Sequence, residues 1–290
     1  MLYNYYRNEW LIDKIVSMLS EVFEAPPVAY RYSDPKLKYF ATIFAGPKSQ
    51  DLDLAREGFT QPSTHYIPAT DNWPFLYMKE PSLPRLYGGI LFLILFFSFL
   101  YVWTLSPKGA VNRHGLPFFF MGCAFTLLET KSIVNFLLLF GSTWLVNSLV
   151  FFAILSVVLI ANWLAARYKF SQMKILYTFL FAALAFNFVV PLETLLFDNL
   201  VIRYILATAF LFSPIFFANL IYSTVFRDTE KANVAFGANL LGTMVGGTTE
   251  YLALYFGYRD LIIFAGIFYF LAFYFIARRQ ASLRRLQLEG

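Results

Sequence analysis

Over residues 8–24 apolar side chains recur at Leu11, Ile15, Met18, Leu19 and Val22, a spacing that places them on one face of a helix, and Pro26-Pro27 predicts its end. Two β-like runs follow, Val28–Tyr32 and residues 39–45, parted by Ser33-Asp34-Pro35 and closed by Gly46-Pro47. One helix and two strands bury too little apolar surface to stand alone, so they read as the end of a larger α/β sheet. Residues 48–70, with Pro62, Pro68 and many small polar side chains, read as loop.

The pattern then changes. Seven apolar segments occupy residues 86–105, 116–140, 142–166, 175–190, 204–226, 232–256 and 261–277. Most approach the roughly 20 residues that cross a bilayer at 1.5 Å rise per residue. Lipid offers no partner to a backbone amide, so these segments are expected as helices. Trp103, Trp144, Trp163, Tyr168, Tyr255 and Tyr258 lie toward segment ends, where aromatic rings anchor at a membrane interface. The expected architecture is mainly α: a polar head over residues 1–85, a multi-pass transmembrane helical bundle over 86–277, and a basic tail over 278–290.

Composition agrees with that division. Of 290 residues, 59% are hydrophobic and only 14% charged, which excludes a disordered chain and an ordinary soluble domain. Residues 1–85 carry nine Lys/Arg and ten Asp/Glu, against 14 and eight in the much longer remainder. The net charge of +5 thus comes from the apolar body, notably Arg278, Arg279, Arg284 and Arg285, and reads as a topology signal rather than a nucleic-acid footprint. Cys123 is the only cysteine, and His65 and His114 the only histidines; no disulfide and no metal-ligand spacing is expected. The opening residues alternate aromatic and polar side chains, so no signal peptide is expected there.

Orientation raises a conflict. A cytoplasmic tail places Lys108, Arg113, Arg167, Lys169, Lys174, Arg227, Lys231 and the four tail arginines on one side, against Arg203 and Arg259 on the other. Seven crossings would then leave the polar head outside with nothing to direct its export. One segment is therefore expected not to cross simply. The second is the first candidate, because Glu129-Thr130-Lys131 interrupts it and two half-helices could enter and leave on one side; the short fourth, ending before Pro191, is the rival.

Glu129, Lys131 and Glu250 are the only ionisable residues well inside the segments, each costing about 2.5–3.5 kcal/mol at mid-membrane if unpartnered. Glu129 and Lys131 lie about 200° apart around a helix, whereas Lys131 shares a face with Asn135. Asn239 and Glu250 fall about 20° apart after three turns, on the stripe of Ala238, Gly242 and Gly246. That small-xxx-small series lets another helix approach closely, and Lys131 is expected to reach Glu250 across the contact, leaving Glu129 as a spare acid. The alternative is a hydrogen-bonded staple that only fixes helix register. Asn147, Asn162, Asn187 and Asn219 are expected to bond neighbouring carbonyls, and Pro191 and Pro214 to end or kink helices.

The head offers little chemistry. Its only glycines before residue 80 are Gly46 and Gly58, so no Gly-rich nucleotide loop is present, and Asp51, Asp53 and Asp71 read as solvated acids. Asp71-Asn72-Trp73-Pro74-Phe75-Leu76-Tyr77 nevertheless resembles the acidic-Trp-Pro-Phe-Leu signature of bacterial membrane-bound spermidine synthase-like proteins. Leu127-Leu128-Glu129-Thr130-Lys131-Ser132-Ile133, Phe140-Gly141-Ser142-Thr143-Trp144-Leu145-Val146-Asn147, Gly237-Ala238-Asn239-Leu240-Leu241-Gly242, Gly246-Gly247 and Glu250-Tyr251-Leu252 resemble that family's membrane half. Asn72 stands where such proteins usually carry a second acid.

The resemblance implies an aminopropyltransferase-like domain, similar to class I methyltransferases, joined to membrane helices; residues 8–45 would be the tail of its sheet. The half that binds a decarboxylated S-adenosylmethionine-type donor, and the carboxylate that deprotonates the amine, would lie upstream of Met1, in the same frame or in a partner subunit. This chain alone would hold no catalytic, cofactor or metal site, would partner the lipid bilayer and that synthase-like domain but no nucleic acid, and would reside in a bacterial inner membrane with a cytoplasmic C-terminus. A transporter of small cations such as polyamines, and a membrane scaffold, are the competing readings, the first because Glu129 and Glu250 outnumber Lys131.

Overall fold

The computed structural model describes residues 2–4, 8–23, 27–32, 40–46, 66–105, 115–170 and 172–289. Pro26, the 33–35 turn, Asp51, Asp53, Gly58, Pro62, His65, His114, Lys108, Arg113, most of the expected 48–70 loop and the side chains of Trp103, Arg284 and Arg285 lie outside that description. The chain forms two compact units, Met1–Ser82 and Leu83–Gly290.

In the first unit, β1 (Leu2–Asn4), α1 (Glu9–Phe23), β2 (Val28–Tyr32) and β3 (Phe40–Phe44) form a helix on a small sheet. The strands are antiparallel in the order β1-β3-β2, with Leu2 opposite Thr42 and Val28 opposite Phe44. The sheet thus has one more strand than the sequence pattern suggested; three residues are too few to show alternation. Ala41 and Ile43 of β3 alternate inward with Ala29 of β2, and Leu11, Ile12, Ile15 and Val16 of α1 cover them. The expected helix face is shifted: Val22 is 73% exposed and Met18 half-buried, while Ile12 and Val16 are fully buried. The physical cause is length, since α1 runs about 22 Å and a five-residue strand covers only about 17 Å.

Lys14 is the least expected core residue. Its side chain is fully buried, and its Nζ donates to the carbonyls of Phe75 (2.9 Å) and Met78 (2.7 Å) while lying 4.3 Å from the centre of the Trp73 ring. Trp73 is buried, its amide donates to Thr70 Oγ1 at 3.1 Å, and its ring meets Phe75 edge-on. Beside it the buried Asp13 accepts from Arg31 of β2. The Trp-Pro-Phe segment therefore fastens to α1 through a lysine, and Asp71 itself is exposed.

In the second unit the helices are α2 (Arg85–Leu105), α3 (Leu116–Phe140), α4 (Trp144–Arg167), α5 (Met173–Val189), α6 (Leu200–Leu211), α7 (Ser213–Arg227), α8 (Ala232–Thr249), α9 (Ala253–Phe256) and α10 (Leu261–Glu289), with 3-10 turns at Leu192–Leu195 and Glu250–Leu252. Among the described residues three helices are long and apolar enough to cross a membrane: α3, α4 and Leu261–Arg279 of α10. α6 and α7 pass the same test only together, bent by 44°. Arg85–Tyr101 of α2 and all of α5 are apolar but shorter. Outward-facing Trp144, Leu155, Leu159 and Trp163 on α4, and Phe92, Phe96 and Phe97 on α2, leave an apolar exterior.

α3 lies at the centre, packed against α8, α10, α7, α4 and α6. It is one continuous helix of 25 residues that ends at Gly141, whose φ of 86° lies where glycine is favoured. The expected break at Glu129-Thr130-Lys131 is thus absent: helical backbone bonds are satisfied internally, and the polar side chains leave the axis in different directions. The break falls at α6–α7 instead, where Pro214 has no N–H to return to Phe210 O. That carbonyl accepts instead from Asn187 Nδ2 (2.9 Å) and Ser213 Oγ (2.8 Å). The sixth segment tightens to 3-10 at Glu250, and α10 runs on through Ala277 to Glu289, so the basic end is helical.

Replacing Lys14 by Met should destabilise the first unit by about 1–3 kcal/mol, because two carbonyls lose their donor. Burial lowers the Lys14 amine from 10.5 to about 8. Between those values the unfolded chain binds the extra proton, so the Lys14 contribution grows as pH rises from about 8 toward 10.5. Denaturant unfolding followed by tryptophan fluorescence should show that slope in the native chain and lose it in Lys14→Met; identical pH profiles would contradict the assignment.

Candidate functional site

The central contact of the second unit is the crossing of α3 and α8. Ala235, Gly242 and Gly246 are buried on one side of α8, with Asn239 between them donating to Phe118 O of α3 at 3.2 Å. A Cβ on Gly242 would overlap the Phe119 carbonyl, and one on Gly246 would come within 2.6 Å of Cys123 O. The contact is reciprocal, since a Cβ on Gly122 would overlap the Asn239 carbonyl. The small-residue stripe is therefore real, but Ala235 rather than the half-buried Ala238 extends it toward the N-terminus of α8. Gly122 was overlooked in the sequence, although Gly122-Cys123-Ala124 is itself a small-residue run.

At the end of the same crossing, Thr130 Oγ1 donates to Glu250 Oε2 at 2.6 Å. Glu129, half-buried, lies close enough to Glu250 for their charges to repel, and Tyr258 is in range of the same carboxylate. Thr130 of α3 and Glu250 of the 3-10 turn after α8 are thus joined by a hydrogen bond, with Glu129 within electrostatic reach of the same carboxylate. Thr130 was not picked out because a threonine in an apolar helix normally bonds its own backbone.

Lys131 is not part of that group. It is 2% exposed, and its Nζ donates to Asn187 Oδ1 of α5 at 3.2 Å, while the other end of that amide holds the Phe210 carbonyl at the kink. The expected Lys131–Glu250 contact is replaced because neighbouring residues on an unbroken helix diverge by about 100°. Thr130 therefore faces Glu250, and Lys131 turns to α5 and α6. Arg259, whose charge is felt at Lys131, donates to Phe188 O at 3.1 Å and lies over the Phe188 ring. Asn135 is half-buried one turn from Lys131, with no hydrogen bond between the two side chains.

The remaining amides act locally. Asn219 Nδ2 donates to Val158 O and Asn162 Oδ1, and Ser223 shares the latter acceptor, so α4 and α7 are joined by a polar seam. Asn147 is exposed at the start of α4.

Carboxyl oxygens accept hydrogen bonds, so Glu129 and Glu250 can take a guest that brings N–H donors. Among the described residues neither acid forms an ion pair within 4.0 Å, and no group of three or more His, Cys, Asp or Glu side chains is arranged to hold a metal. Comparison with protein-family models, curated proteins and solved structures gives no match.

The two sets of contacts make separate expectations. Lys131→Glu combined with Glu250→Lys should not recover stability lost in the single changes, whereas Lys131→Met and Asn187→Leu should be less than additive by about 0.5–3 kcal/mol in detergent unfolding. Rescue by the charge swap would restore the direct pairing. Gly242→Val should cost at least about 1–3 kcal/mol by forcing α3 and α8 apart. Gly247→Ala, where an added Cβ meets nothing within 4 Å, should be neutral or gain up to about 1 kcal/mol. Equal melting shifts for the two glycine variants would remove the crossing as a constraint.

Proposed function

We propose that this chain is the membrane half of a spermidine synthase-like protein, and that its helical unit receives a small organic polycation at Glu129 and Glu250. The observation that carries the cation site is the segregation of charge. Glu250 accepts from Thr130 and lies within electrostatic reach of Glu129 and Tyr258, while Lys131 and Arg259 are bonded to Asn187 and the Phe188 carbonyl. Two nearby acids in apolar surroundings repel each other, and a guest with two ammonium groups relieves both. A bundle that needed only register could use the neutral Asn162–Asn219 seam at lower cost.

The first unit supports the synthase-like reading differently. A helix over antiparallel strands in the order β1-β3-β2 suits the end of an aminopropyltransferase-like, methyltransferase-like sheet that continues beyond β1. The chemistry of aminopropyl transfer would then belong to an upstream domain or subunit that binds the decarboxylated S-adenosylmethionine-type donor. The role of the helical unit is to anchor that activity in a bacterial inner membrane and to take the amine, as substrate or as cargo.

Purified chain in proteoliposomes should exchange labelled putrescine or spermidine by counterflow, and in detergent should bind spermidine in equilibrium dialysis. Glu129→Gln should weaken binding about tenfold or more, the loss of one close charge pair. Binding without exchange would favour delivery to a synthase over transport. Spermidine binding no stronger than that of an uncharged diol of equal length would dismiss the cation site.

A further inference from the structure

Two fully buried side chains of the second unit carry hydroxyls that the bundle's own contacts do not use. Tyr177 of α5 is 2% exposed and Tyr269 of α10 is 1% exposed. Among the described residues neither Oη has a hydrogen-bond partner. The two are also neighbours. The Tyr177 ring lies 4.9 Å from that of Phe273, one helical turn from Tyr269 along α10, and Tyr269 is within electrostatic reach of Tyr177.

Phenylalanine would fill the same space without the hydroxyl. The chain contains 35 phenylalanines, and the other ring against Tyr177 is one of them, Phe181 at 6.2 Å. A phenol taken out of water with no new partner destabilises the fold, so a buried tyrosine normally finds a donor or acceptor for its hydroxyl. Two such costs on adjoining helices are removed together if one small guest lies between the two hydroxyls.

The surroundings fix the chemistry of that guest. Both tyrosines are closed off from solvent, so it is small. The electrostatic neighbour of Tyr269 is another phenol, so an ion would sit there without a countercharge in an apolar interior. Water both donates and accepts, as each hydroxyl does, and two polar partners are enough to hold it inside a protein.

We propose that Tyr177 and Tyr269 hold one internal water molecule between their hydroxyls, a polar tie between α5 and α10. α5 otherwise packs chiefly against α7. The bridge therefore braces the α10 side of the helix that also brings Asn187 to Lys131.

The full chain in lipid nanodiscs should be irradiated with X-rays in isotopically labelled water, so that hydroxyl radicals formed from a bound water oxidise the side chains it touches, and the peptides read by mass spectrometry. Tyr177 and Tyr269 should take up labelled oxygen severalfold more than Phe136, which is just as fully buried among other rings. In Tyr269→Phe the label on Tyr177 should fall to the Phe136 level, and in Tyr177→Phe the label on Tyr269 should do the same. Each single variant should lower the melting temperature by about 2–4 °C, the scale of one hydrogen bond in a chain of this size, and the double variant should lower it no further. Labelling of both tyrosines at the Phe136 level in the native chain overturns the proposal even where the variants lose stability, since the hydroxyls would then bond each other directly. Single variants that raise the melting temperature additively overturn it as well, because the hydroxyls would then be dry.

Discussion

The close approach of two helix backbones, with Gly122 on α3 facing Asn239 and with Gly242 and Gly246 on α8 facing Phe119 and Cys123, sets the geometry of the second unit. At each of these glycines a methyl group would collide with backbone rather than with a side chain that could rotate away. Between apolar helices surrounded by an apolar medium, such contact is a main source of attraction, since burial of apolar surface contributes little there. The spacing it enforces brings Asn239 to Phe118 O at one end and Thr130 to Glu250 at the other.

Because α3 stays straight, its three consecutive polar residues are distributed rather than clustered. Thr130 bonds Glu250 beside Glu129, and Lys131 feeds a chain through Asn187 to the carbonyl that Pro214 cannot satisfy. The cation therefore stabilises a kink between α6 and α7 instead of neutralising an acid. This arrangement resolves two costs at once: a lysine buried in an apolar bundle has an oriented acceptor, and the carbonyl that Pro214 cannot bond has other donors. It also leaves Glu129 within electrostatic reach of Glu250 while Lys131 is bonded elsewhere.

The same economy appears in the first unit, where Lys14 ties Phe75 and Met78 to α1 under the Trp73 ring. A sheet with strands of five residues or fewer supplies little apolar area, and the two hydrogen bonds from the Lys14 amine add to it a polar tie between α1 and the 75–78 segment. The resemblance noted at Trp73-Pro74-Phe75 thus coincides with a structural fastening, and Asp71 points to solvent.

Periodicity and length alone were enough to place α1, β2, β3 and the apolar helices, and composition alone to separate a polar head from an apolar body, because both depend on where single residues prefer to sit. The small-residue stripe on α8 was legible for the same reason, even though Ala235 replaced Ala238 in it. Partner choice was not legible. Whether Lys131 meets Glu250 or Asn187 depends on which helices pack around α3: Asn187 comes from 56 positions along the chain, and the neighbouring Ser132 bonds the Leu211 carbonyl, 79 positions away. A side chain's direction around a helix follows from its number in the sequence, but what stands in that direction is settled only when the other helices have packed.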